Sequence, residues 1–270
     1  MRSGRGLESP IPASVRATVE QARAALGDRN AAMRYDWLQK LTGASWETIS
    51  DVLAEFGELV PYEEAIRKAH WAAGRLHYAQ YRGPLELYAI VRLIQPDHII
   101  ETGVSSGVSS AHFLLGVRKN RRGTLHSIDL PLPQRGARLS PRESHVAIPP
   151  GRSSGWSIPS ELRDAWDLRI GPSQELLPTL VEELSSVGLF LHDSLHTPRH
   201  LTFELRTVRP KLVPGAVVLA DNTQWTGAAF PQFARAVGVP VRRRGRTDMV
   251  GLRMPVPPAE VVPSRAPRTL

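Results

Sequence analysis

From about Gly83 onward the chain alternates short apolar runs with amphipathic stretches. The runs His98–Thr102, Thr124–Asp129, Asp167–Ile170, Leu189–Asp193 and Ala216–Asp221 predict strands. Between them, apolar residues spaced three and four apart predict helices over Leu85–Leu93, Ser109–Val117, Gln174–Leu184 and Pro198–Lys211. Strand–helix alternation of this kind builds an α/β fold with a doubly wound, mainly parallel sheet covered on both faces. Val239–Arg243 and Met249–Arg253 predict a closing antiparallel pair.

Residues 12–80 carry a different pattern. Apolar positions recur at helical spacing in Ile49, Val52, Leu53 and Phe56, and again in Ala65, Ile66, Ala69 and Ala72. Gly27-Asp28 and Thr42-Gly43 interrupt it. The expected organisation is an N-terminal helical cap or dimerisation region over residues 1–82, a main domain over 83–254 and a proline-rich flexible tail over 255–270. Leu130–Ser160, rich in Pro, Gly, Ser and Arg, breaks the rhythm of the main domain. Loops of such length act as lids or lack order. Its Gly155-Trp156 would lay an aromatic ring over a ligand or pack that ring on the sheet edge.

Composition narrows the class. The 270 residues suffice for a full core. No apolar run approaches the ~20 residues needed to span a bilayer. The first residues, Met1-Arg2-Ser3-Gly4-Arg5-Gly6, lack a signal peptide's apolar segment. A soluble, cytoplasmic protein with no membrane partner is the expectation. Cysteine is absent, which removes disulfides, thiolate nucleophiles and cysteine metal sites. The net charge of +8 raises the question of nucleic acid. Against it, the one dense basic cluster, Arg242-Arg243-Arg244-Gly245-Arg246, has no interleaved aromatics for base stacking. Arginine also outnumbers lysine thirty to four, a bias more general than phosphate recognition.

The chemistry-bearing residues fall at strand ends. After His98–Thr102 comes Gly103-Val104-Ser105-Ser106-Gly107-Val108-Ser109-Ser110. A glycine turn opening a helix lets bare backbone and unpaired N–H groups approach a ligand. Its spacing, E-x-G-x-x-x-G, is neither the G-x-G-x-x-G of dinucleotide binders nor the P-loop pattern. It points to another nucleoside ligand, S-adenosylmethionine. Asp129 ends the next strand, where an acid can accept both ribose hydroxyls. Gly171-Pro172-Ser173-Gln174 follows the third strand with groups suited to an adenine edge, or with Ser173 as a helix cap. Asp193 and the pair Asp221-Asn222 end two further strands at the sheet edge where α/β folds bind ligands. Two carboxylates and an amide oxygen suit Mg²⁺ or another hard divalent cation.

These residues together resemble the class I S-adenosylmethionine-dependent methyltransferases, in particular the branch of catechol O-methyltransferase and related bacterial small-molecule O-methyltransferases. The resemblance covers about Gly83 to Met254 and implies a Rossmann-like, seven-stranded sheet with an antiparallel C-terminal strand. It implies cofactor contacts from Glu101, Gly103, Ser105, Gly107, Ser109, Asp129, Ser173, Gln174 and Asp193, and a metal held by Asp193, Asp221 and Asn222. His196 falls where the catechol enzyme has its catalytic lysine, so His196 and Asp193 are the expected catalytic residues. As a general base His196 has the right intrinsic pKa; otherwise it caps the helix that begins near Pro198, and His145 of the long loop is the alternative base. The expected activity is metal-assisted O-methylation of a small-molecule hydroxyl on a sugar, phenol or natural product. Two other enzymes are weighed: a metal-independent methyltransferase of the same fold, and an iron-dependent oxygenase built on His192, Asp193, His196 and His200. The oxygenase is disfavoured because neighbouring strand residues such as His192 and Asp193 point to opposite faces. A binding protein that kept the fold and lost catalysis is disfavoured by the intact Asp193, Asp221 and Asn222. Oligomerisation, if present, is expected through the N-terminal helices.

Overall fold

Alternation along each strand sorts the sheet residues onto two faces, and the two hydrophobic clusters follow that sorting. Ile99 of β1 (His98–Thr102), Leu189 and Leu191 of β4 (Val187–His192) and Val217 and Leu219 of β5 (Leu212–Ala220) enter one cluster. Their neighbours Ile100, Phe190, Val218 and Ala220 enter the other. With β2 (Thr124–Asp129), β3 (Trp166–Ile170), β6 (Arg242–Arg243) and β7 (Val250–Arg253), the strands form one seven-stranded sheet in the order β3-β2-β1-β4-β5-β7-β6. The computed structural model describes residues 36–73, 85–131, 148–149, 151–244 and 247–257.

Strands β1 to β5 are mutually parallel, and β7 runs antiparallel to both β5 and β6. The expected closing pair is present, inserted as β7 between β5 and β6. The strand expected from Ala216 begins earlier, at Leu212, and its pairing with β4 shifts register between Val187 and Leu189. Pro214 lacks an N–H to donate and Gly215 has φ +79°, so the irregularity sits where the sequence cannot sustain a regular ladder.

Helices α4 (Leu85–Ile94) and α5 (Val108–Asn120) cover the first face; α6 (Ser173–Glu183), α7 (Pro198–Val208) and α8 (Ala229–Val237) cover the second. The described N-terminal helices are α1 over residues 36–42, α2 (Trp46–Glu55) and α3 (Val60–Ala72). Gly43, with φ +75°, ends α1 where the sequence pattern broke. Trp37, Leu38, Leu41, Ile49, Val52 and Ile66 belong to the same buried cluster as α4 and α5. Polar ties reinforce this seam: Arg92 Nε lies 2.7 Å from Glu55 and buried His112 Nε2 lies 2.6 Å from Glu63. The N-terminal helices therefore complete the core on the α4–α5 face.

Among the described residues no helix is long and apolar enough to cross a membrane. The expected tail from residue 258 onward, the Gly27-Asp28 break, His145 and most of the long loop lie outside the described residues.

Candidate active site

Every strand-end residue singled out in the sequence lies at the carboxyl edge of the parallel strands, and β1 carries the first, Glu101. Its alternation sends Glu101 to the α5 side and Thr102 to the α7 side, and both are fully buried. Ser109 and Ser110 each donate to Glu101 at 2.5 Å, on different oxygens, and Ser127 donates at 2.9 Å. Burial pushes this carboxyl up to about 7 against the pull of the three serines, with Asp193's charge adding to the rise. Glu101 thus pins the start of α5 to β1 and β2 from beneath the glycine loop.

Gly103 and Gly107 hold left-handed backbone angles, φ +87° and +91°. At Gly103 a Cβ would come within 2.0 Å of the Asp193 carbonyl oxygen, so this glycine lets the β1 turn pass under the β4 turn. At Gly107 a Cβ would strike Ile158 and Gly155 at 2.6 and 2.8 Å. The glycine loop is covered here by its own chain. Ser105, in the turn between them, has φ +50°, and its carbonyl accepts the Gly155 N–H at 2.8 Å.

Asp129, 4% exposed, accepts the Val104 N–H on Oδ1 at 3.1 Å and the Ser154 hydroxyl on Oδ2. Ser173 is the first residue of α6 and not its cap: the cap position is Pro172, and the Ser173 hydroxyl donates to Glu204 at 2.7 Å. Exposed Gln174 reaches His200 Nδ1 at 2.9 Å through its side-chain nitrogen. Trp156 packs on His70 of α3, ring centroids 4.7 Å apart.

Asp193, His196, Asp221 and Asn222 converge. His196 Nε2 lies 3.4 Å from Asp193 Oδ1 and 3.4 Å from Asn222 Nδ2. The edge of the Trp225 ring meets His196 at a centroid distance of 5.7 Å. Burial and then the Asp193 charge push the Asp221 carboxyl up to about 6; the Asn222 N–H, His196 and Arg244 pull it the other way. Asn222 adopts left-handed angles, φ +50°, which asparagine tolerates. The helix after His196 is capped by Thr197, whose side chain accepts the His200 N–H at 3.2 Å. His196 is therefore not the cap.

Sequence reasoning missed Glu204. This α7 residue is completely buried and binds His192 Nδ1 at 2.7 Å and His200 Nε2 at 2.8 Å. Hydroxyls of Thr102, Ser173 and Ser194 add donors at 2.8, 2.7 and 2.9 Å. Burial alone would raise the Glu204 carboxyl; the two histidines hold it far below the usual carboxylate range. The signal was an acid on the apolar stripe of α7, four residues after His200 and between Leu201 and Leu205. The same network takes His192 and His200 away from Asp193, which removes the geometry an iron site would need. Among the described residues no group of three or more His, Asp or Glu side chains has the spacing to hold a metal. The expected set of Asp193, Asp221 and Asn222 brings two carboxylates and one amide to the same edge.

Residues 100–223 match a family model described as a methyltransferase domain. That segment carries a methyltransferase domain. That span begins inside β1 and ends just after Asn222, so it contains the glycine loop, Asp129, Ser173, Asp193, His196 and the Asp221-Asn222 pair. The sheet, five parallel strands with β7 reversed between β5 and β6, is the Rossmann-like methyltransferase fold. Among solved structures, the methyltransferase is similar to the O-methyltransferase NovP, at 17% identity over 59% of this chain and 72% of that one, TM-score 0.48. It is similar to the O-methyltransferase TomG from Streptomyces achromogenes, involved in tomaymycin synthesis and solved in complex with SAM, at 20% identity over 71% and 90%, TM-score 0.47. An O-methyltransferase from Bacillus cereus in complex with SAH is 14% identical over 71% and 90%, TM-score 0.47. No curated protein sequence matches the chain.

Proposed function

We propose that this methyltransferase uses S-adenosylmethionine and a divalent cation to methylate a hydroxyl of a small molecule. The observation that carries the reading is the convergence of Asp193, His196, Asp221 and Asn222 one strand away from the glycine loop. Two carboxylates, one raising the proton affinity of the other, are a donor set suited to a hard cation, and Asn222 supplies a neutral oxygen. The glycine loop, with Gly103 against the β4 turn, and Asp129 at the neighbouring strand end are suited to a nucleoside.

When bound, the cofactor supplies a sulfonium-activated methyl group and the cation supplies Lewis acidity. The chain's own part is orientation and proton removal. Asp193, Asp221 and Asn222 would hold the cation, whose Lewis acidity would act on a hydroxyl beside His196. His196 Nε2, 3.4 Å from Asp193 Oδ1, takes the hydroxyl proton at that place, and the adjacent carboxylate steadies the resulting imidazolium. Trp225 packs against His196, and Leu195, 39% exposed, offers apolar surface to the acceptor. The acceptor classes proposed are sugars, phenols and natural products with a free hydroxyl. Glu101, under the loop, acts by holding α5 in place.

Titration calorimetry with S-adenosylhomocysteine tests the cofactor assignment. Wild-type protein binds, and Asp129→Ala binds about 1–3 kcal/mol more weakly, the cost of unpaired ligand hydroxyls. Equal affinity in the two proteins removes Asp129 from the ribose subsite. Turnover is lost on chelation and restored by Mg²⁺; full activity in metal-free protein leaves a metal-independent methyltransferase.

A further inference from the structure

Asp129 has a covering that its assigned role does not explain. An acid that receives two ribose hydroxyls needs an open face, yet Asp129 is 4% exposed and Ser154, 1% exposed, donates its hydroxyl to Oδ2. The donor comes from the described end of the long loop, and that end has two mechanically different parts. Residues 155–158 are anchored. The Gly155 and Ser157 N–H groups donate to the Ser105 and Ser106 carbonyls at 2.8 and 3.0 Å, and the Ser157 hydroxyl adds 2.8 Å to Ser106. Trp156 and Ile158 are buried, and Ile158 fills the space that Gly107 leaves by lacking a Cβ.

Residues 151–153 are exposed, and Ser154 joins them to the anchored part. Glycines in left-handed conformation flank the turn, Gly151 at φ +76° with nothing within 4 Å of a built Cβ, and Gly155 at φ +70°. Gly155 lies so close to the Trp166 ring that a Cβ there would approach it to 2.2 Å. The turn therefore has at one end a glycine with open space beside it, spanned by the Arg152 N–H bond to the Pro149 carbonyl at 3.0 Å, at the other a glycine packed on Trp166, and a hydroxyl-to-carboxylate bond between them.

We propose that residues 151–154 form a gate on the ribose subsite, in which the Ser154 hydroxyl stands on the Asp129 oxygen that a ribose hydroxyl takes when the cofactor enters. The inference rests on the cofactor reading above. The closed turn presents to Asp129 the same group, a neutral hydroxyl donor, that the nucleoside would bring. Exchange of one for the other keeps the carboxylate satisfied throughout, so the buried acid is never left without a partner. Swinging the turn about Gly151 and Gly155 gives up the Arg152 N–H bond to Pro149, whose groups water can then satisfy, and leaves Trp156 and Ile158 in place while exposed residues 151–153 move together with Ser154. Binding is then weakened by the fraction of time the gate is closed.

The test compares wild type, Ser154→Ala and Ser154→Cys, with S-adenosylhomocysteine as the probe. Removing the competing hydroxyl should tighten binding about three- to tenfold by calorimetry, the share of a hydrogen bond to a carboxylate that the closed state loses. The chain has no cysteine, so Ser154→Cys provides a single thiol. Its alkylation by iodoacetamide should be slow in the free protein and several-fold faster with saturating S-adenosylhomocysteine. Unchanged or weaker binding by Ser154→Ala, or unchanged or slower alkylation of that thiol with ligand present, overturns the gate while the cofactor reading stands. Wild-type protein that does not bind S-adenosylhomocysteine overturns both.

Discussion

Replacing Glu204 by alanine should be among the most damaging single substitutions in the described structure. The carboxylate is fully buried and satisfies five side chains on four elements: Thr102 of β1, His192 of β4 with Ser194 of the turn that follows it, Ser173 of α6 and His200 of its own helix. Removing one partner of a buried ionic cluster costs about 3–5 kcal/mol, because charged or polar groups stay behind without compensation. For a chain of this size each kcal/mol moves the melting temperature by roughly 2–4 °C. Glu204→Ala should therefore melt roughly 6–20 °C below wild type. Glu204→Gln keeps the volume and loses the charge, and should fall between the two. The pH dependence supplies a second check. The folded-state carboxyl is held below its ordinary value near 4.5 by the histidines. Its stabilisation is then fully present above that ordinary value and lost as pH falls through the lower, folded-state value. The gap between wild type and Glu204→Gln should narrow in acid. Scanning fluorimetry and chemical denaturation at several pH values measure both. Variants melting within about 2 °C of wild type, or a gap that widens below about pH 4, would refute the account of Glu204 as the buried keystone of the sheet edge.

Other outcomes follow from the same geometry. His196→Ala should lower kcat about 10²–10⁴-fold with S-adenosylhomocysteine affinity intact, and the acidic limb of the pH–rate profile should vanish; near-normal kcat removes His196 as the base. Glu101 has its folded-state carboxyl raised to about 7, so the stability linked to its proton is present below about 4.5 and lost as pH rises through 7. Glu101→Gln should flatten the decline in melting temperature between about pH 5 and pH 8, and an unchanged slope refutes the burial argument. Saturating Mg²⁺ at about 100 times its Kd should stabilise wild-type protein by about 2.7 kcal/mol. The gain should be absent in Asp221→Asn, and an equal thermal shift in both proteins places the cation elsewhere.

The strands β1 and β2 were legible residue for residue, because each short run with apolar residues at its centre or ends stops abruptly at a polar, ligand-facing turn and alternates with helical segments. The positions of Asp193, Asp221 and Asn222 were legible for the same reason: parallel strands end side by side, so strand-end residues far apart in sequence must meet. The start of β5 was not, since Pro214 and Gly215 read as a turn although they lie within the strand. Glu204 and Ser154 were out of reach too. An acid on the apolar stripe of α7 becomes intelligible only when β1, β4 and α6 bring their hydroxyls and imidazoles to it. A serine in a polar loop acquires meaning only when the turn lays it on Asp129. Periodicity and strand ends are local properties that one chain segment fixes by itself. The partners of a buried polar group are set by packing between distant segments, and burial makes those partners obligatory.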